Sequence, residues 1–363
     1  MSDDKDPADY LTRHVQTSSS GLQQKIDELI AACAGNSSNA GLYREMVLNI
    51  VRMAQADRDR WDAKIMLQTI GELEQSFARL EMFKRRRKVT VFGSARTHVD
   101  HKLYALARDM GRTLARHDYM TITGAGHGIM GAAHEGAGLD NSLGFNITLP
   151  FEQRSNEVVF NTDHDLRFRF FFLRKLFFVK EADALILCPG GFGTLDETLE
   201  VLTLIQTGKS PVVPVILLDV PGGGFWDGLL AFFKSQLCEE GYILEADFNL
   251  MTLARSPDQA MGEILNFYSN YHSSRWMDGR YVLRLHQPLA APALETINRQ
   301  FSDICTEGRF EQISPTVRAS DDEPELEGMH RLQFSFNGRH QGRLRALIDF
   351  VNQAENLQTP DNA

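Results

Sequence analysis

The segment Pro189-Gly190-Gly191-Phe192-Gly193-Thr194-Leu195-Asp196-Glu197 gathers glycines, a hydroxyl and two carboxylates into one short stretch. It follows a β-like apolar run, Ala184-Leu185-Ile186-Leu187-Cys188, and opens a helical pattern expected over Leu195 to Gln206. A glycine-rich turn from strand to helix lets bare backbone amides close on an anion, and the helix N-terminus adds roughly half a positive charge. Gly190, Gly191 and Gly193 remove the side chains that would block this approach. Thr194 is placed to serve as helix cap and hydroxyl ligand. The pattern supports a phosphate cradle, with the Glu197 carboxylate one helical turn away. Thr194-Leu195-Asp196-Glu197 also spells a capping box, in which Glu197 would only bond back to the Thr194 amide. Spacing alone leaves both open.

The elements that must position this loop follow from periodicity. From Lys88 to about Tyr271 the pattern alternates strand and helix. Val89–Phe92 is predicted as a strand ending in Gly93-Ser94, followed by a helix over Leu103–Ala115. A second strand, Tyr119–Thr123, ends in Gly124-Ala125-Gly126-His127-Gly128 and a helix runs on through Ala137. Leu143–Leu149 is a third strand, stopped by Pro150, and Leu166–Lys180 is read as one helix. Beyond the cradle, Val212–Leu218 is a strand and Phe225–Leu237 a helix. Such alternation gives a parallel sheet covered by helices, with ligands outside the carboxyl ends of its strands. Three of those ends carry glycines, at Gly93, Gly124–Gly128 and Gly190–Gly193, so they should meet on one rim.

The flanks have a different style. Residues 1–19 are polar, and Gly21 to about Arg87 carries a helical period expected to form two or three helices. Lys84-Arg85-Arg86-Arg87-Lys88 closes that segment and reads as cations meeting a helix C-terminus. Beyond about Ser273 the order is strand (Tyr281–Leu285), helix (Pro292–Cys305), strand (Phe310–Ile313), strand (Leu332–Phe336), helix (Gly342–Val351). An acidic loop, Asp321-Asp322-Glu323-Pro324-Glu325, interrupts it. This βαββα order suggests a small α+β module of the ferredoxin-like or ACT-like kind. The expected fold class is thus α/β: a Rossmann-like sheet at 88–272, a helical extension at 1–87 and an α+β module at 273–363.

Bulk composition narrows the functions. A chain of 363 residues with 43% hydrophobic and 24% charged content is an ordinary globular protein of more than one unit. A net charge of −10 argues against general nucleic-acid binding. Cys33, Cys188, Cys238 and Cys305 form neither a zinc-finger spacing nor a disulfide framework, which suits the cytoplasm. The acidic N-terminus has no apolar core for a signal peptide, and no run reaches the ~20 apolar residues of a membrane helix. His98, His101, His127, His134 and His164 show no metal-ligand spacing, so no metal or cofactor is expected.

Two motifs mislead. Gln206-Thr207-Gly208-Lys209-Ser210 looks like the end of a P-loop, but Thr203 holds the first glycine position and the segment ends a helix. Gly126-His127-Gly128-Ile129-Met130-Gly131 matches GxGxxG, with Glu152 at the spacing of a ribose-binding acid. It falls on the second βα unit, whereas the dinucleotide fingerprint belongs to the first.

With those set aside, the cradle resembles the PGGxGTxxE signature of the Lonely guy (LOG) family of nucleoside 5′-monophosphate phosphoribohydrolases. Some members of that family were long labelled lysine decarboxylases. Arg174-Lys175 matches the family's Arg-Lys pair, and Gly93-Ser94 and Gly128-Ile129-Met130-Gly131 fit its other loops. Gly93-Ser94-Ala95-Arg96 and Leu149-Pro150-Phe151-Glu152-Gln153 look most like the longer bacterial branch. The resemblance covers about residues 65–270 and leaves the C-terminal module outside. His127 departs from it, since many relatives carry proline or serine there.

The resemblance implies hydrolysis of the N-glycosidic bond of AMP or a related purine or N6-modified adenosine monophosphate, giving free base and ribose 5-phosphate. Arg174 and Glu197 would be catalytic. Gly93, Ser94, Gly128, Met130, Lys175, Gly190, Gly191, Gly193 and Thr194 would bind substrate. Glu197 could stabilise positive charge on the ribose and activate water, and Arg174 could hold ribose or phosphate. Asp196 and Glu200 read as helix-surface or supporting residues. The phenylalanines around Arg174 read as core or subunit interface, and relatives dimerise there with both protomers contributing to each site. The competing reading is a non-catalytic nucleotide or cofactor carrier on the same fold, which would need the loop but not Arg174 with Glu197. The C-terminal module is expected to assemble subunits, sense an effector or cover an apolar face of the core.

Overall fold

The computed structural model describes residues 20–57, 59–148, 154–313, 326 and 328–357. Leu149–Gln153, Glu152 among them, and the acidic loop Asp321–Glu325 lie outside the described residues, as do residues 1–19. The chain divides into two compact units, residues 1–75 and 76–363.

The first unit holds α1 (Ser20–Ala34), α2 (Ala40–Gln55) and the start of α3 (Arg60–Leu80). Helices α1 and α2 pack on one another, and Arg44 Nε bonds Asp27 Oδ1 at 2.6 Å.

In the second unit a seven-stranded parallel sheet carries the site, in the order β4-β3-β2-β1-β5-β6-β7. Its strands are β1 (Lys88–Phe92), β2 (Met120–Thr123), β3 (Ser142–Ile147), β4 (Asp165–Phe168), β5 (Ala184–Leu187), β6 (Val215–Leu218) and β7 (Met251–Ala254). The connecting helices are α4 (Lys102–Arg116), α5 (Ile129–Ala137), α6 (Phe171–Lys180), α7 (Phe192–Gln206), α8 (Phe225–Phe232) and α9 (Pro257–Phe267). Strands β1 and β5 are buried on both faces, as central parallel strands must be. On one face Val89, Val91 and Ile186 pack with Met110, Leu114, Ala133 and Ile264. The other face is aromatic: Phe92–Phe178 and Phe145–Phe178 rings lie 4.8 and 5.4 Å apart.

Two of these strands were not predicted. The Leu166–Lys180 segment is a strand, β4, and then helix α6, because Leu166 and Phe168 point into the core while Arg167 faces out. Four residues of such alternation are too few to interrupt a helical period by eye. Edge strand β7 was missed too, and π-helical residues Phe233–Cys238 extend α8. The basic run follows the helix end: α3 closes at Leu80, a 3₁₀ turn continues it from Glu81 to Phe83, and Lys84 is the C-cap of that turn. Arg86 Nη2 donates to Asn141 Oδ1 at 2.7 Å, and the Arg87 guanidinium lies 3.7 Å over the Tyr268 ring. Lys88 Nζ sits 3.3 Å from Glu181. They tie down the start of the sheet.

The C-terminal module is ββαββα: β8 (Tyr271–Met277), β9 (Arg280–Leu285), α10 (Ala291–Gln300), β10 (Cys305–Ile313), β11 (His330–Phe336) and α11 (Gln341–Val351). Its four strands are antiparallel in the order β10-β11-β9-β8, so two ββα units meet through β9 and β11. The unpredicted first strand, β8, joins β9 through Asp278-Gly279, both at positive φ. Asp-Gly is the preferred pair for such a two-residue hairpin, so the signal was present. The module is bonded firmly to the sheet domain. Asn352 accepts from the Asn270 and Tyr271 amides at 3.1 and 2.7 Å and donates to the Phe267 carbonyl at 2.6 Å.

Candidate active site

The sheet's connectivity reverses between β1 and β5: the chain steps outward through β2, β3 and β4, then returns to β5 on the other side of β1. Ligand crevices form at such switch points. The glycine loops following β1, β2 and β5 meet there. A Cβ at Gly190 would lie 2.1 Å from Thr194 Oγ1 and 2.9 Å from the Ser94 amide, and one at Gly128 would lie 2.4 Å from the Ser94 carbonyl. Gly128 also has φ +61°, so only glycine lets these loops touch. The Ser94 amide donates to Pro189 O at 3.3 Å, and the Ile129 amide donates to Ser94 O at 3.1 Å. Gly93 leaves room for the Ile129 side chain, from which its Cβ would lie 2.5 Å away.

Helix α7 begins earlier than its apolar period suggests. Gly191 precedes its first residue and no side chain caps it, so Thr194 is the third helical residue and not the cap. Gly191 and Gly193 have open space where a side chain would be. The Thr194 and Leu195 amides both bond Gly191 O, at 3.0 and 3.1 Å, leaving those of Phe192 and Gly193 at the helix start for an incoming anion. The Phe192 amide has no side-chain signature, which is why sequence did not single it out.

The capping box does not form. Glu197 is buried, its Oε2 has no hydrogen-bond partner, and its Oε1 lies 3.7 Å from Lys175 Nζ. Burial raises its pKa to about 7, although Lys175 and Arg174 pull it down. A buried, unsatisfied carboxylate poised near neutrality is costly for a fold and suited to proton transfer.

Arg174 reaches the same place from α6. A Cβ on Gly124 would lie 2.5 Å from Arg174 Nη2 and 2.9 Å from Met130 Sδ, so Gly124 makes room for both. Burial lowers the Arg174 pKa while Glu197 raises it, and Arg174 Nε is buried without a partner. Its guanidinium stacks 5.0 Å from the Phe178 ring centroid, so the side chain lies along the apolar helix surface with its charge at the crevice. Lys175 is placed otherwise. Its Nζ lies 2.6 Å from Glu200 and 2.8 Å from Asp196; burial lowers its pKa, but these two carboxylates raise it overall. The geometry makes Lys175 the clamp between α6 and α7.

A supporting network was invisible in the sequence. Ala125 has φ +60°, a strained conformation for alanine, within the loop that meets Arg174. Buried Asn156 holds it: its amide donates to Ala125 O at 2.7 Å and its Nδ2 to Gly126 O at 3.1 Å. Asn156 is braced by fully buried His134, whose pKa burial lowers to about 4, leaving a neutral ring able to accept. Exposed His127 opens instead onto a cavity of about 610 Å³ beside the loops. Among the described residues no group of His, Cys, Asp and Glu side chains could hold a metal ion.

Fold and site together define a Rossmann-like α/β protein with a glycine-lined crevice at its switch point. Residues 128–264 match a family model described as "Possible lysine decarboxylase". Over 185 residues the chain is 34% identical to the probable cytokinin riboside 5′-monophosphate phosphoribohydrolase LOG4 of Oryza sativa subsp. japonica, covering 49% of this chain and 75% of that one. It is 36% identical over 94 residues to cytokinin riboside 5′-monophosphate phosphoribohydrolase LOG1 of Arabidopsis thaliana, 26% of this chain and 42% of that one. The chain belongs to the LOG family. Among solved structures it is similar to the X-ray structure of TM1055, at 24% identity and TM-score 0.36, over 48% of this chain and 96% of that one. It is also similar to the molybdenum cofactor binding protein of Rippkaea orientalis, at 20% identity and TM-score 0.36, over 49% and 94% of the two chains.

Proposed function

We propose that the protein hydrolyses the N-glycosidic bond of nucleoside 5′-monophosphates, AMP or a related purine or N6-modified adenosine monophosphate, to free base and ribose 5-phosphate. One observation carries this reading: a buried carboxylate held near pH 7, beside a buried arginine, lies one helical turn from an open anion cradle. Phosphate binding alone needs only the cradle. The 5′-phosphate sits on the first amides of α7 and the Thr194 hydroxyl, with the Ser94 loop alongside. As the C1′–N bond breaks, positive charge grows on the ribose, and ionised Glu197 stabilises it. Glu197 then accepts a proton from the water whose oxygen bonds C1′, and that proton passes on to the base, which departs with the electron pair of the C1′–N bond. Arg174 holds the ribose or phosphate between the Gly124 and Gly190 loops.

Incubating the protein with a panel of nucleoside monophosphates and assaying free base tests the reading; no base from any of them would overturn it. The 5′-phosphate is expected to be obligatory, because binding at this remote group orients the reacting bond. Adenosine should therefore turn over far more slowly than AMP at saturation, and equal kcat/KM for the two would remove the cradle from the mechanism.

The supporting assignments are a homodimer or higher homo-oligomer in the cytoplasm. Phe171, Phe172, Leu176, Phe192 and Leu199 are exposed on neighbouring α6 and α7, with Phe192 92% exposed. Such a contiguous apolar face beside a site fits a subunit interface. Phe172→Glu is expected to halve the mass seen by light scattering; an unchanged mass would place the interface elsewhere. No described helix is long and apolar enough to cross a membrane, and all four cysteines are free thiols, as in a reducing compartment.

A further inference from the structure

A second concave site lies at the opposite end of the sheet, where β1 and β5 begin. Its cavity, about 710 Å³, is walled by the last turn of α3, the run Lys84–Lys88, the turn from Lys180 to Asp183, and His272 and Ser273 of β8. That volume falls within the range of small-molecule pockets, about 300–1,000 Å³. The catalytic rim is a strand length away, about 15 Å at 3.3 Å per residue along β1. The two sites therefore share strands but no residues.

The charge of this cavity runs against the whole chain, whose net charge is −10. Six cations line it against only Glu81, Glu181 and Asp183, a local balance of +3. Two of those cations keep donors without an acceptor among the described residues, and a third is weakly held. Arg85 is exposed and makes no hydrogen bond or ion pair among the described residues. Arg87 Nη1 is buried without a hydrogen-bond partner, although its guanidinium lies over the Tyr268 ring and its charge reaches Asp183. Lys84 reaches only exposed Glu81, at 3.4 Å. A buried guanidinium donor without an acceptor costs free energy unless a ligand supplies one.

We propose that this cleft binds a small molecule carrying two phosphate groups, at a site separate from the catalytic cradle. One phosphate brings about −1.5 to −2 charges at pH 7, so two are needed to balance the cleft and the fork of Arg87 with that of Arg85. Because His272 and Ser273 belong to the C-terminal module, the ligand bridges module and sheet. This gives the module a binding role that does not depend on the hydrolase reading.

Calorimetric titration of the full-length protein with pyrophosphate tests this, using two variants to separate the sites. Arg85→Glu reverses a charge at an exposed position of the cleft. Gly191→Asp fills the open cradle with a carboxylate at a helix N-cap, where Asp is well tolerated. Pyrophosphate affinity is expected to fall at least tenfold in Arg85→Glu and to persist in Gly191→Asp. Loss in Gly191→Asp with retention in Arg85→Glu would overturn the proposal, because the catalytic cradle would then be the only anion site. Absence of millimolar or tighter binding to the parent would overturn it as well. Tighter binding of ADP than of pyrophosphate would identify a nucleoside diphosphate as the ligand; equal binding would identify the inorganic diphosphate.

Discussion

Glu197→Gln is expected to lower kcat by about 10²–10⁴-fold, the usual worth of positioned acid–base catalysis, with nucleotide affinity nearly unchanged. In the proposed mechanism affinity would reside in the α7 amides and Thr194, which the substitution leaves in place, whereas the carboxylate would act on charge that develops only as the base departs. Its pKa of about 7 sets the pH dependence. The working form is ionised, so kcat/KM should rise with pH and level off above about 7, and this limb should vanish in Glu197→Gln. Stability should show the opposite trend. A carboxyl whose folded pKa is raised binds more protons when folded, so the fold weakens as pH climbs from the usual glutamate range to about 7. Glu197→Gln should remove that slope and raise Tm at pH 8 relative to the parent. Single-turnover rates, nucleotide titration and thermal melts across pH 5–9 read all three. Turnover near the parent's would leave the carboxylate with a structural role only.

Ending the chain after Tyr271 is expected to give an aggregated protein without activity. Helix α11 lies against α9 and residues 245–250, and a Cβ on Gly342 would meet the Ala246 carbonyl at 1.9 Å. Buried Arg345 crosses to Glu263 on α9 and bonds Asp349 at 2.9 Å. Truncation would strip the Arg345 guanidinium from the fully buried Phe267 ring, 4.9 Å away, and leave the Asn270 and Tyr271 amides without Asn352 Oδ1. Several such losses exceed what a marginally stable domain tolerates, since total stability is about 5–15 kcal/mol. Expression, light scattering and base release measure the result. A soluble, monodisperse truncate with parental turnover would show that the module is dispensable to the core. Covering the core is compatible with holding a ligand at His272 and Ser273, which line the cleft beside Lys84–Lys88.

Much of the site was legible because its chemistry is local. Gly190, Gly191, Gly193, Thr194 and Glu197 sit on one strand–turn–helix, and residue type alone fixes how closely a backbone can approach an anion. The alternation of strands and helices gave the parallel sheet for the same reason, since β5 is a continuous apolar run and β1 is rich in β-branched residues. Short edge strands gave no such signal: β4 has four residues whose alternation is masked by the phenylalanines that follow. Strand β8 alternates weakly, and only its Asp-Gly turn marks it.

What sequence could not decide was any property set by partners distant in the chain. Whether Glu197 caps α7 or stands ionisable depended on where the helix starts and on burial against α6. Lys175, expected to bind substrate, has three carboxylates of α7 within 4 Å of its ammonium, neighbours that its own segment does not reveal. The run Lys84–Lys88 follows a helix end as its sequence suggests, but only folding set Lys180 and the β8 strand beside it as the walls of a cleft. Residue type determines what a side chain can do with its charge. Burial and long-range neighbours determine how much of that charge is left to use.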